Sequence, residues 1–191
     1  MDALIVSISL FIAMIDVTPI ACDANTKTWI PSTQLSCTME KININNFKLV
    51  GLKLAKKTTN ANGQSAIDCG QLWQRFEKEN CFQRIANKID DSIYAVYFDY
   101  EEDHTKPFSY FIGCKVSSDS QAVEGLSVLQ IPTDNYIKLL AKGKMPDCIA
   151  NCWKDIWTSG IARAYHYDFE VYDERSKNWN DAEVDVYVSS K

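Results

Sequence analysis

The stretch of this 191-residue chain richest in reactive side chains is Tyr167-Asp168-Phe169-Glu170-Val171-Tyr172. Strand periodicity puts Asp168, Glu170 and Tyr172 on one face and Phe169 with Val171 on the other. Phe169 and Val171 are expected to pack under helices, leaving Glu170, mid-strand, looking into a cleft. A carboxylate held among aromatic rings has lost its water without gaining a partner, a cost that an arriving cation removes. A lipophilic cation can also lie on ring faces, each good contact contributing about 0.5–2 kcal/mol. The chemistry expected of Glu170 is therefore selection of flat or greasy cations. Candidate walls are Tyr94, Tyr97, Phe111, Tyr136, Trp153, Trp157 and Tyr172. Taken singly, rings of this kind are better explained as core. Trp157 is preferred to Trp153 for the pocket, because it falls about 80° off the Ile149–Ile156 stripe by helix geometry. A glutamate on a solvated strand face is the competing reading of Glu170.

Other polar groups offer less. Asp99, Glu101, Glu102 and Asp103 read as a solvated acidic turn. Glu183, Asp185 and Tyr187 share one face of the last strand, where a sheet rim explains them as well as a site does. The seven cysteines, Cys22, Cys37, Cys69, Cys81, Cys114, Cys148 and Cys152, are odd in number and scattered, unlike a disulfide framework. Cys148 and Cys152 could share a helix face, but neither His104 nor His166 is near them in sequence. They are read as small buried hydrophobes, not zinc ligands. No Ser-His-Asp order, metal-ligand cluster or phosphate loop appears, so no cofactor is expected and the familiar enzyme classes gain no support. A net charge of −5 and a pI near 5.1 give no general attraction to phosphate backbones, so direct binding of nucleic acid is not expected. From Met39 onward 19 basic residues face 22 acidic ones, a net −3. That is too mild for a protein mimic of nucleic acid.

The elements that must position these groups follow from periodicity. Phe47 to Leu54 reads as a strand, and Asn60-Ala61-Asn62-Gly63 as a turn. Ser65 or Asp68 is expected to cap a helix reaching Ile85, with Leu72, Trp73 and Phe76 on its apolar stripe. Ser92–Tyr100 and Phe108–Val116 form a hairpin. The order then recurs. Leu126–Ile131 and Tyr136–Ala141 supply strand, and Pro146-Asp147 opens a helix to Thr158 with Ile149, Cys152, Trp153 and Ile156 inward. Ala164–Tyr172 and Ala182–Val188 close a second hairpin. The expected architecture is α+β: duplicated β-α-β-β units with pseudo-twofold symmetry, antiparallel sheets, two helices and a ligand cleft between the repeats.

Residues 1–38 stand apart from this domain of residues 39–191. Ala3–Ile15 is an apolar run too short to span a bilayer comfortably and resembles a signal-peptide core, without the usual positive start. Met39 is equally a natural start, with strand following at once. An exported protein and a cytoplasmic one beginning at Met39 both fit, and no stable membrane span is expected. Oligomeric state is not legible.

Four segments carry a family resemblance: Leu72–Phe76, Tyr94–Asp103, Asp168–Arg175 and Ala182–Val188. In this order they resemble the signatures of GyrI-like effector-binding domains, found within AraC-type activators and as stand-alone proteins. The resemblance runs from about Phe47 to Lys191. It implies a duplicated β-α-β-β fold that binds small, often cationic or aromatic, organic compounds between its repeats around a buried glutamate. Non-catalytic sensing or sequestration is the leading expectation. Hydrolysis of electrophiles with Glu170 as general base, and modulation of gyrase or a toxin through a protein interface, are the alternatives. Residues 1–38 are too few and too apolar for a helix-turn-helix pair.

Overall fold

The computed structural model describes residues 39–191 other than Ala122. The expectations made for residues 1–38, including the apolar run, lie outside the described residues. The elements are β1 (Glu40–Ile44), β2 (Phe47–Lys53), α1 (Gln64–Lys78), a single turn α2 (Cys81–Arg84), β3 (Ile93–Phe98) and β4 (Ser109–Val116). There follow β5 (Ser127–Ile131), β6 (Asp134–Gly143), α3 (Asp147–Thr158), β7 (Tyr167–Tyr172) and β8 (Ala182–Ser189). The strands make one antiparallel sheet in the order β1-β6-β8-β7-β3-β4-β2-β5. Read from the β7–β3 ladder outward, the two sides match: β3, β4, β2 and β5 answer β7, β8, β6 and β1. That is the expected duplication and pseudo-twofold axis.

Two details differ from expectation. The halves are not two sheets side by side. The ladder from Ile93↔Tyr172 to Phe98↔Tyr167 hydrogen-bonds them into one. Each half also has a leading edge strand that crosses over, since β1 pairs with β6 and β5 pairs with β2. The short polar alternation of β1, EKINI, hides a strand whose pattern is mostly exposed.

The first helix is shorter than its pattern suggests. Gly63 precedes α1 at φ 69 with no side-chain cap. Asp68 is instead engaged from Thr58 Oγ1 at 2.6 Å and Gln64 Nε2 at 2.8 Å. A residue already accepting side-chain donors one turn into a helix is not serving its end. Asn80, at φ 50, then breaks the helix, a conformation that asparagine tolerates better than most. Ile85 is therefore not helical.

Three apolar clusters fix the layers. α1 buries Cys69, Leu72, Trp73 and Phe76 against Val50, Leu52, Ala95, Tyr110, Ile112 and Cys114. α3 buries Cys148, Ile149, Cys152, Trp153 and Ile156 against Leu139, Ala141, Val184 and Val186. Each large apolar side chain so buried contributes about 1.5–3 kcal/mol. The opposite face carries an aromatic cluster of Phe47, Tyr94, Phe98, Phe111, Tyr136 and Phe169. Backbones approach most closely at the facing pair Gly51↔Gly113. A Cβ on Gly51 would stand 1.9 Å from the Ile112 carbonyl oxygen, and one on Gly113 2.3 Å from that of Val50.

Candidate functional site

Strand parity and register together define the centre. Ala95 of β3 lies directly across from Glu170 of β7, so Ala95, Tyr97, Asp168, Glu170 and Tyr172 all project from the face that bears the helices. α1 covers the first half and α3 the second. Between them Tyr97 and Tyr172, both half-buried, pack against both helix cores. Each of these tyrosines sits two residues beyond one member of the Ala95–Glu170 pair, so the pseudo-axis relates them. The strip between the helices is thus roofed by two symmetry-related rings, with a carboxylate on only one side of the axis.

Glu170 is 1% exposed. Trp153 Nε1 donates to its Oε1 at 2.5 Å, Tyr97 Oη donates to the same oxygen at 2.9 Å, and Tyr172 Oη donates to Oε2 at 2.7 Å. Among the described residues no Lys, Arg or His pairs with it. Burial raises the Glu170 pKa, and the donors from Trp153, Tyr172 and Tyr97 oppose that shift. Tyr97 and Tyr172 are pushed far above the ordinary phenol range, first by burial and then by the charge of Glu170. They therefore remain donors throughout the working pH range.

The first half supplies a matching set without the acid. Trp73 Nε1 donates to Tyr110 Oη at 3.0 Å, and Tyr110 packs on Tyr97 with ring centroids 4.9 Å apart. Trp73 meets Tyr172 edge-on at 5.1 Å, as Trp153 meets Tyr97 at 5.0 Å. Cys69 of α1 is close enough for the negative charge of Glu170 to help raise its thiol pKa, after burial, which is the larger cause. Such a thiol is held protonated and unreactive.

A second buried acid braces the arrangement. Asp168, fully buried, pairs with Arg163 at 2.5 Å and accepts from Tyr100 Oη at 2.8 Å and from Ser189 N and Oγ at 2.7 and 2.9 Å. The Arg163 guanidinium also lies 5.7 Å from the Trp153 ring centroid and 4.3 Å from that of Tyr165.

Of the residues proposed from sequence, Glu170, Trp153, Tyr97 and Tyr172 come together. Tyr94, Phe111 and Tyr136 do not: they belong to the cluster on the other face of the sheet. Phe169 and Val171 pack there too, not under the helices, because the helices cover the face of Glu170. The preference for Trp157 is likewise corrected. Trp157 is 37% exposed and stacks on His104 at 5.3 Å, whereas Trp153 contacts the carboxylate. Trp73, Tyr110 and the Arg163–Asp168 pair were not singled out by sequence. The parallel placement of Trp73 and Trp153 in the two repeats was the available signal. Five described cysteines, Cys69, Cys81, Cys114, Cys148 and Cys152, are buried and form no disulfide among themselves.

The family described as Cass2, integron-associated effector binding protein, has a model that matches residues 42–189. "Putative transcriptional regulator protein YobU" of Bacillus subtilis is 25% identical over 124 residues, 63% of this chain and 78% of YobU. Transcriptional regulator BrlR of Pseudomonas aeruginosa is 29% identical over 126 residues, 62% of this chain but only 45% of BrlR. Among solved structures, an integron cassette protein from the mobile metagenome of Vibrio cholerae superimposes with a TM-score of 0.60 at 27% identity. It covers 80% of this chain and 95% of that one. SAV2435 bound to tetraphenylphosphonium gives 0.65 at 16% identity, over 80% and 93% of the two chains, a likeness of fold. No helix among the described residues is long and apolar enough to cross a membrane.

Proposed function

We propose that this chain, which belongs to the integron-associated effector-binding family, takes up small organic cations in the strip between α1 and α3, with Glu170 as the charge that selects them. The observation that carries this reading is a buried carboxylate ringed by Tyr97, Trp153 and Tyr172 with no cationic side chain among the described residues paired to it. A buried anion without a counter-charge is costly, and aromatic N–H and O–H donors offset only part of that cost. A lipophilic cation supplies the missing charge and trades its own weak hydration for ring faces. Tyr97 and Tyr172 are the aromatic wall, half-buried and packed against both cores. Tetraphenylphosphonium, the ligand held by SAV2435, has the chemistry that such a site favours.

Binding without turnover is the better reading of the carboxylate. Its Oε1 already accepts two donors and Oε2 one, in a position shielded from water. A general base needs water or an acidic proton within hydrogen-bond reach, and a carboxylate 1% exposed offers water little access. The role that follows is sensing or sequestration.

Titration of the protein with a cationic dye such as rhodamine 6G, followed by tryptophan fluorescence, tests the proposal. Quenching is expected through Trp153 and Trp73, and a neutral dye of similar size is expected to bind far more weakly. Equal binding of the neutral dye overturns the charge assignment. Steady conversion of an electrophilic substrate, lost in Glu170→Gln, would replace this reading with hydrolysis.

A further inference from the structure

A hollow of about 640 Å³ opens at the end of the β3–β7 ladder, where Phe98 pairs with Tyr167. Its walls include the rings of Phe98, Tyr100, Tyr165 and Tyr167. Phe98 and Tyr167 stack with centroids 5.7 Å apart and planes within 8°, a ready-made surface for another flat ring. Tyr165 holds φ 58, a left-handed conformation costly for an aromatic residue, and strain of this kind gathers at functional sites.

The charges around the hollow are mixed, with Lys53, Asp99 and Asp134 in its lining and Lys57 shared between Asp99 and Glu101. Of its carboxylates, Asp99 lies 3.5 Å from Lys57 Nζ and Asp134 lies 2.8 Å from His166 Nδ1. Lys53 lines the same hollow with its ammonium 5.0 Å above the Phe98 ring centroid, and no carboxylate among the described residues pairs with it. Behind the tyrosine walls lies Arg163, 6% exposed, its guanidinium 4.3 Å from the Tyr165 centroid and 5.8 Å from that of Tyr100. Only its Nη2 engages Asp168. Nε and Nη1 are buried without an acceptor. Asp168 balances the guanidinium charge, and the two unmet N–H groups behind the wall are donors still lacking an acceptor.

We infer that this hollow is a second ligand site, for a planar aromatic carboxylate whose ring lies among the four aromatic side chains and whose carboxylate pairs with Lys53. The pairing inverts that at Glu170, where the protein supplies the anion. The two sites also share a structural neighbour. Arg163 sits on the Trp153 ring, and Trp153 donates to Glu170. This inference stands apart from cation binding at Glu170 and survives its failure.

Isothermal titration with 2-naphthoate, beside the neutral isostere 2-naphthylmethanol, tests it. Naphthoate is expected to bind and the alcohol to bind at least fivefold more weakly. Lys53, exposed at the end of β2, can be changed without disturbing the core, and Lys53→Gln is expected to weaken naphthoate about fivefold while leaving rhodamine 6G binding unchanged. Tyr165→Asn removes a wall but keeps a residue that tolerates the left-handed backbone, and should weaken naphthoate by a similar factor. No naphthoate binding at millimolar concentration overturns the inference. So does equal affinity for the alcohol, or naphthoate affinity unmoved by Lys53→Gln.

Discussion

Replacing Glu170 by Gln and by Ala separates what its charge does from what its hydrogen bonds do. In Glu170→Gln the amide oxygen can keep the donors from Trp153 and Tyr97, and the new NH2 can donate to Tyr172, whose hydroxyl turns to accept. Three hydrogen bonds survive and a desolvated charge is removed, so stability should stay within about 1 kcal/mol of the parent or rise. Glu170→Ala instead strands the Trp153 N–H and two hydroxyls in a buried spot and leaves a void. At about 1–3 kcal/mol for each unsatisfied buried donor, and with both hydroxyls free to turn elsewhere, a loss of about 2–5 kcal/mol is expected. Cation affinity should fall in both, by tenfold or more, which corresponds to about 1.4 kcal/mol of lost pairing. Denaturant unfolding gives the stabilities, and tryptophan quenching by rhodamine 6G gives the affinities. A Gln variant that binds the dye within twofold of the parent refutes the role of the charge. A Gln variant as unstable as the Ala variant refutes the hydrogen-bond argument.

Because burial raises the Glu170 pKa, cation affinity should decline as pH falls through that raised value, above the ordinary range near 4.3. Over the same window the unliganded protein should gain stability on acidification, since its folded state takes up the proton before the unfolded one does; dye titrations and melts from pH 8 to 5 check both signs. Arg163→Met leaves Asp168 fully buried without its cation and is expected to cost about 3–5 kcal/mol, read as a lowered unfolding midpoint. Gly113→Ala places a methyl 2.3 Å from the Val50 carbonyl oxygen, which spreads β2 from β4; a clear drop in thermal midpoint is expected, and an unchanged one would mean the strands can slide apart freely.

The order of elements was legible because α1, α3 and the two hairpins carry strong periodicity, with matching tryptophans at Trp73 and Trp153. The family resemblance rested on the same segments, and the match over residues 42–189 bears it out. Register was not legible, and the site depends on it. Tyr94 and Tyr97 are both strand aromatics three residues apart, and only the Ala95↔Glu170 pairing decides which shares a face with the acid. Phe111 and Tyr136 fail for the same reason. The helix face of Glu170 was misassigned because a buried acid under a helix is the rarer arrangement, made acceptable here by three ring donors that sequence spacing does not reveal. Asp168 and Arg163 are near in sequence, but their pairing rests on the irregular backbone before β7, which carries no periodic signal.

The crossing of β1 to β6 and of β5 to β2 has a consequence for biosynthesis. Strands that pair across about 90 residues of chain, as Ile42 does with Tyr136, close late and slowly. While the first half is emerging from the ribosome, β2 lacks the neighbour that seals its outer side, and β1 has nothing to grip. The acid that would recognise a cation arrives later still, on β7. Until β7 has been made the chain lacks that acid, and truncation before β7 leaves a fragment with open strand borders.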